Sequence, residues 1–271
     1  MGNIDDLAVA KVNLNKENKQ MSNLHLENSR LISDIYNEYL KLRPEGVPFP
    51  WESVVNYLFM ALIAERASQK GNLLELGVEH GGSAFLTLLT LRPDEQFFLV
   101  DQRKTDKFEL SFEKLSSAQQ QQVVFVISKT IGEQTKPLLE SKYRWIHIDA
   151  GHQQPEVMQD LQRFEPVLRN DGILIMDDFF QGRWPGVTEA TYNYFDKYSP
   201  DLKPLVIAYN KIYFCRSNFY NQIFNDIREL GTSYFSWWGN IQLIETSWRE
   251  IPCFFLRGSV EPSKRGYPIN I

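Results

Sequence analysis

Three aspartates follow two short apolar runs at positions where parallel strands commonly end. Asp149 follows residues 145–148, and the pair Asp177 and Asp178 follows residues 172–176. Because the carboxyl ends of parallel strands meet at one edge of a sheet, we expect the three carboxylates to lie together. A bound divalent cation would relieve their repulsion, and Mg²⁺ suits a site with oxygen ligands only. The alternative is that one aspartate caps the following helix and the others are solvated.

A histidine lies close to this acidic group in the sequence. His152 comes three residues after Asp149 and is predicted to lie on the loop above the carboxylates. An imidazole there could take a proton from a hydroxyl whose acidity a metal has raised. The alternative is a surface histidine with no chemical role. His147, inside the apolar run, is predicted to belong to the core.

A glycine-rich turn follows the first apolar run of the predicted sheet. Residues 75–83 have the sequence Glu-Leu-Gly-Val-Glu-His-Gly-Gly-Ser. This is where an open α/β sheet binds a nucleotide-like ligand, because the glycines let the backbone approach it. Glu79 occupies the second glycine position of GxGxxG and disfavours a dinucleotide. Asp101, at the end of the next predicted strand, could bind both hydroxyls of a ribose; the alternative is a tight turn beside a solvated aspartate.

Short apolar runs alternate with amphipathic stretches from Asn72 to Arg216, a pattern that predicts βαβ units on a mostly parallel sheet. Right-handed crossover helices would bring every strand end to the same edge. The predicted strands are 73–76, 97–100, 123–127, 145–148 and 172–176, the predicted helices are 83–91, 109–119, 131–139 and 155–168, and a closing antiparallel pair is 205–208 and 212–215.

Composition narrows the class of ligand. The chain has 271 residues, is 43% hydrophobic, and carries 29 basic and 34 acidic side chains for a net charge of −5. It lacks a block of Lys and Arg, so we expect no nucleic-acid or membrane partner and a small-molecule ligand. Cys215 and Cys253 are too far from any partner for a CxxC or zinc site, which predicts reduced core residues. With no signal peptide or apolar span, a soluble cytoplasmic protein is expected.

The pattern divides the chain into four predicted parts: a flexible arm at 1–25, N-terminal helices at 26–71, a cofactor-binding core at 72–216 and a C-terminal extension at 217–271. An aromatic segment beginning at Trp184 is predicted either to be a substrate lid or to cover the end of the sheet. Three tryptophans of the extension are predicted to lie in the core or at a subunit contact, and assembly into a homo-oligomer stays open. They are Trp237, Trp238 and Trp248.

The order of these motifs resembles class I S-adenosylmethionine-dependent methyltransferases over residues 50–216. More narrowly, it is similar to the metal-dependent small-molecule O-methyltransferases, including the macrolide and aminocoumarin sugar O-methyltransferase group. The resemblance implies a Rossmann-like, doubly wound α/β fold whose seven-stranded sheet has an antiparallel last strand.

The resemblance also implies roles for particular residues. Catechol-type relatives have a lysine base three residues after the first metal aspartate, whereas the sugar-modifying relatives have a histidine there, as His152 is here. Those relatives often have Gly-Asp where this chain has Ala150 and Gly151. The implied cofactor-binding residues are Glu75, Gly77, Val78, Gly81, Ser83, Asp101 and Ser128, the implied metal ligands are Asp149, Asp177 and Asp178, and the implied catalytic residues are His152 and Asp149.

Together these patterns predict a Mg²⁺-dependent O-methyltransferase that moves a methyl group from S-adenosylmethionine to a hydroxyl of a small sugar or phenolic molecule. The alternative is a non-catalytic cofactor-binding subunit or sensor. A hydrolase or a hydroxylase is disfavoured because the chain lacks a GxSxG elbow and a recognisable two-histidine, one-carboxylate set.

Overall fold

The computed structural model describes residues 34–47 and 50–261. The arm predicted at 1–25 lies outside the described residues. Within the N-terminal part predicted to be helical, 26–71, the structure has a helix, α1, over residues 34–42 and a second helix from Trp51. The further α-helices are α2 (Trp51–Ala67), α3 (Gly82–Leu88), α4 (Asp106–Phe112), α5 (Ser117–Gln121), α6 (Gln154–Phe164), α7 (Pro185–Tyr198) and α8 (Ser217–Trp238).

The strands form a single mixed sheet. They are β1 (Asn72–Leu76), β2 (Phe97–Asp101), β3 (Val123–Ile127), β4 (Tyr143–Ile148), β5 (Leu168–Met176), β6 (Lys203–Ala208), β7 (Lys211–Cys215), β8 (Gly239–Trp248) and β9 (Ile251–Val260). Their order is β3-β2-β1-β4-β5-β7-β6-β9-β8, with the first five parallel and β7 antiparallel to both β5 and β6. The Rossmann-like α/β class and the predicted strands are confirmed.

The expected count of seven strands is wrong, because a hairpin of β8 and β9 adds two more. β9 pairs in parallel with β6, and β8 pairs along β9. The hairpin turns at Arg249 and Glu250, whose φ values of 51° and 65° suit the tight turns that match strand twist. The extension after Arg216 therefore continues the central sheet.

Both faces of the sheet are covered. In β5, Ile173 and Ile175 point into a core shared with α2, α3 and α8, whereas Leu174 and Met176 point into the core under α6 and α7. This alternation explains why the central strands are continuous apolar runs. Cys215 and Cys253 are free and buried, as predicted.

Three predicted helices differ in detail. The helix predicted at 155–168 ends at Phe164 and is followed by a 3₁₀ turn, Glu165–Val167, before β5 begins. The stretch 109–119 is interrupted because Ser116 starts a new helix, α5, with a capping box to Gln119. Residues Glu133–Glu140, containing Pro137, form a 3₁₀ helix instead of an α-helix. Across the described part of the chain, no helix has the length and apolarity needed to span a membrane.

Candidate active site

The predicted functional residues meet at the carboxyl edge of the parallel strands. Leu76 of β1 lies in register with Val100 of β2 and with Ile148 of β4, and Ile148 lies in register with Met176 of β5. The residues that follow these positions therefore emerge side by side. This register brings together the glycine turn, Asp101 and the three aspartates.

The glycine turn packs against the loop after β4. Gly77 has a φ of 84°, and a Cβ at this position would lie 2.1 Å from the carbonyl oxygen of Asp149. The backbone amides of Val78 and Glu79 each donate a hydrogen bond of 2.8 Å to Asp101 Oδ2. Asp101 thus fixes the turn from the neighbouring strand. Gly81, with a φ of 86°, is the N-cap residue of α3.

Glu75 and Ser83 lie beneath the turn. The Ser83 hydroxyl donates a hydrogen bond of 2.5 Å to Glu75 Oε1, and the Glu75 side chain is fully buried. His147 Nδ1 is 3.6 Å from the same carboxylate oxygen. Glu75 and Ser83 therefore support the turn from inside the protein.

Asp177 is surrounded by cationic and amide groups of the protein itself. Lys211 Nζ lies 2.5 Å from Asp177 Oδ2, and His147 Nε2 lies 3.2 Å from the same atom. Asp177 Oδ1 accepts hydrogen bonds from Asn210 Nδ2 at 2.7 Å and from the Asp178 amide at 2.8 Å. Both carboxylate oxygens are therefore engaged.

The charges in this group are strongly coupled. Burial alone would lower the pKa of His147, but its contacts with Asp177 and Glu75 outweigh burial and raise the pKa to about 9. Burial alone would raise the pKa of Asp177, but the charges of Lys211 and His147 hold it well below its ordinary value. At neutral pH the Asp177 carboxylate thus faces the His147 imidazolium, and Lys211 Nζ contacts the same oxygen.

Asp149, Asp178 and His152 form a second, partly exposed group. His152 Nε2 is 3.1 Å from Asp178 Oδ2 and 3.9 Å from Asp149 Oδ1. The imidazole also stacks on Trp184, with ring centres 4.3 Å apart. Desolvation and the charge of Asp177 raise the pKa of Asp149 well above its ordinary value. Asp178 and Trp184 together fix the orientation of the His152 ring.

A cavity of about 350 Å³ runs from the glycine turn to His152. Of the predicted site residues, four line it: Gly77, Asp101, Ser128 and His152. The other predicted site residues do not line the cavity. Further lining residues come from the loop after β3 and from one face of α6; they include Thr130, Ile131, Glu156, Gln159 and Asp160.

The sequence interpretation missed two residues of this region. Asp160 is only 1% exposed, and neither of its carboxylate oxygens has a hydrogen-bond partner among the described residues, although Thr130 lies beside it. Asp160 shares the buried face of α6 with Val157, Leu161 and Phe164, and a carboxylate at that helical spacing was the available signal. Lys211 lies in the gap that the prediction leaves between 205–208 and 212–215, whereas the structure has it as the first residue of β7. A lysine entering a strand next to the carboxylate edge was the available signal.

The predicted set of three metal ligands stays a prediction. The repulsion that was expected to require a cation is relieved at Asp177 by Lys211 and His147, and Asp178 faces His152. A divalent ion on Asp177 would have to displace these partners. Ligand atoms of Asp149, His152 and Asp178 lie within 4.8 Å of one another, and so do those of His147, Asp149 and Asp177, so either group could hold an ion. An ion on Asp177 would compete with Lys211.

Comparison with known proteins agrees with the fold. Residues 74–179 match a family model described as a methyltransferase domain. No protein of curated function matches the sequence significantly.

Three solved structures are similar in fold. Cofactor-bound Rv0187 from MTB is 15% identical, with 71% of this chain and 89% of that chain covered and a TM-score of 0.50. CalS11, a TDP-rhamnose 3'-O-methyltransferase of calicheamicin biosynthesis, is 13% identical, with 70% and 94% covered and a TM-score of 0.49. The O-methyltransferase TomG from Streptomyces achromogenes is 14% identical, with 68% and 87% covered and a TM-score of 0.48.

Residues 74–179 therefore match a methyltransferase domain, and they lie on a Rossmann-like sheet. The predicted enzyme class, an S-adenosylmethionine-dependent methyltransferase, is confirmed at this level.

Proposed function

We propose that this enzyme transfers a methyl group from S-adenosylmethionine to a hydroxyl of a small molecule, of the sugar or phenolic kind found in natural products. One observation carries the proposal. A single cavity is lined by Gly77 and Asp101 at one end and by an oriented histidine, His152, at the other. A donor and an acceptor bound in it would meet beside the imidazole.

The cofactor half of the cavity fits S-adenosylmethionine. Gly77 lines the cavity, so a ligand beside it would contact main chain instead of a side chain. Asp101 would accept hydrogen bonds from the ribose hydroxyls and Ser128 would lie near the adenine. We assign Glu75, Val78, Gly81 and Ser83 to holding the turn in shape, because their contacts are with the turn and its supports.

Asp160 provides a further element of fit. A buried carboxylate without a partner is costly, and a ligand that donates a hydrogen bond to it recovers that cost. Asp160 lines the same cavity as Ser128 and Thr130. We assign it to the exocyclic amino group of the adenine, which is a donor of the required type.

His152 would act as the general base. S-adenosylmethionine supplies a methyl group activated by a sulfonium. With Nε2–H donating to Asp178, the Nδ1 lone pair of His152 is free to accept the acceptor's hydroxyl proton. The proton would leave the hydroxyl as the oxygen–carbon bond forms and the carbon–sulfur bond breaks. The products would be a methyl ether, S-adenosylhomocysteine and an imidazolium. Asp178, 3.1 Å from Nε2, would stabilise the positive imidazole.

Calorimetric titration with S-adenosylmethionine, followed by mass-spectrometric detection of methylated products from a panel of sugars and phenols, tests the proposal. We expect saturable binding that Asp101→Ala removes, and a product that grows by one methyl group. An absence of cofactor binding would overturn the proposal. Binding without transfer to any acceptor would instead favour the non-catalytic subunit or sensor.

A further inference from the structure

The carboxylate edge of the sheet contains its own cations. Asp177, 7% exposed, contacts Lys211, which is 2% exposed, and His147, which is fully buried. Asp178 contacts His152. Among the described residues, each aspartate of the pair thus faces a basic side chain within hydrogen-bond distance.

The backbone fixes the Lys211 ammonium in this place. Lys211 is the first residue of β7, and the next residue, Ile212, lies in register with Met176, directly before Asp177. The preceding residue, Asn210, accepts a hydrogen bond from the Phe179 amide through its carbonyl and donates to Asp177 through its side chain. A lysine anchored on both sides and buried has little freedom to withdraw from the carboxylate.

A divalent ion and this ammonium compete for the same atoms. Asp177 Oδ2 is in contact with Nζ of Lys211, and Oδ1 receives two N–H donors that would have to be given up to a metal. The interior strengthens repulsion between two cations because it screens charge poorly. The position that a metal ion would take at Asp177 is therefore filled by the Lys211 side chain.

We propose that Lys211 takes the place of a metal ion at this site, so that the enzyme neutralises its aspartates with a fixed ammonium and works without a resident divalent cation. This inference rests on the proposed function only where it concerns methyl transfer. Lys211 acts through Asp177 and is a positioning residue: it holds Asp177 and Asp178 in place beneath His152.

Manganese binding followed by electron paramagnetic resonance tests the inference without any substrate, because free Mn²⁺ gives a signal that is lost on binding. We expect the wild-type protein to leave the signal unchanged. Lys211→Met removes the charge at similar length and should create saturable uptake of Mn²⁺, which the double variant Lys211→Met/Asp177→Asn loses. Lys211→Arg is the matched control, keeps a cation, and should show no uptake.

Saturable Mn²⁺ uptake by the wild-type protein that Asp177→Asn or Asp178→Asn abolishes would overturn the inference. A folded Lys211→Met protein without uptake would also contradict it. If Lys211→Met does not fold, as judged by circular dichroism, the wild-type titration still decides. Once an acceptor is known, methyl transfer should be unchanged by EDTA. Failure of the proposed function would appear separately, as an absence of cofactor binding in calorimetry.

Discussion

The Asp160 carboxylate shows how a single residue can lower stability in favour of binding. Burial raises its pKa to about 6, against the smaller opposing effects of Thr130 and Arg163. Both oxygens lack a partner among the described residues. Between about pH 4 and pH 6 such a side chain is mostly protonated in the folded protein and mostly ionised in the unfolded chain.

We therefore predict that Asp160→Asn stabilises the protein while weakening its affinity for S-adenosylmethionine. Because the folded pKa is above the ordinary 3.8, the wild type loses stability as pH rises from about 4 to about 6. Above that range the variant should be more stable by roughly 1 to 3 kcal/mol, and its Kd about tenfold weaker or more. Urea denaturation at pH 4.5 and 7.5, with calorimetry, measures both; equal stability of the two proteins at pH 7.5 would contradict the assignment.

At His152 we predict loss of turnover with retention of cofactor. His152→Ala removes the proton acceptor and should lower kcat by about 10²- to 10⁴-fold. Its ring stacks on Trp184, outside the glycine turn, so affinity for S-adenosylmethionine should stay within the error of calorimetry. Steady-state kinetics with an identified acceptor measures the change in kcat. A variant with wild-type kcat would show that another group accepts the proton.

At the scale of an element, the turn after β1 depends on one close approach. Gly77→Ala places a methyl group against the Asp149 carbonyl and requires a left-handed φ of 84°. The strain alone costs about 1 to 3 kcal/mol, and we expect loss of S-adenosylmethionine binding because the turn and the β4 loop must separate. Gly182→Ala is the matched control, since a Cβ there meets nothing within 4 Å. Calorimetry on both variants should show loss for the first alone.

The strand β4 carries a buried ion pair that fastens it to the segment before β2. Arg144 Nε and Nη2 each lie 2.7 Å from an oxygen of Glu95, and both side chains are 1% exposed. Arg144→Met leaves a buried carboxylate without its main partner and should lower the free energy of unfolding by about 3 to 5 kcal/mol.

Arg228→Met serves as the control for that prediction, because its pair with Glu245 is about half exposed. Removing this exposed pair should cost less than about 1 kcal/mol. Guanidinium denaturation of the two variants gives both free energies. Equal losses would mean that burial does not determine the strength of these pairs.

For the whole molecule, the sequence predicts the parallel core well and its additions poorly. The five parallel strands are recognisable because each is an apolar run, a pattern typical of strands covered on both faces, although the edge strand β3 is only partly buried. The β8 strand is not, since its Gln242, Glu245 and Thr246 are exposed polar residues that break any such run. The aromatic run near Trp238 continues α8, where packing against α2 and the sheet, which is absent from a local pattern, sets its length.

The same limit explains the outcome at the site. Which aspartates meet follows from parallel topology, so Asp149, Asp177 and Asp178 were brought together by prediction and by the fold alike. What neutralises them depends on β7, which enters the sheet between β5 and β6 although it follows both in sequence. Lys211 reaches Asp177 across 34 positions of chain, and no local spacing reveals that contact.

The matched domain ends at residue 179, before several parts of the chain that surround the candidate site. Trp184, the helix α7 that follows it, and Lys211 all lie beyond that limit, and Trp248 braces α7 through a hydrogen bond of 2.9 Å to Tyr192. A chimaera that borrowed only the matched segment would inherit the donor pocket and the aspartates without the wall facing the acceptor or the ammonium. Substrate choice and metal requirement in such proteins should therefore diverge faster than cofactor use.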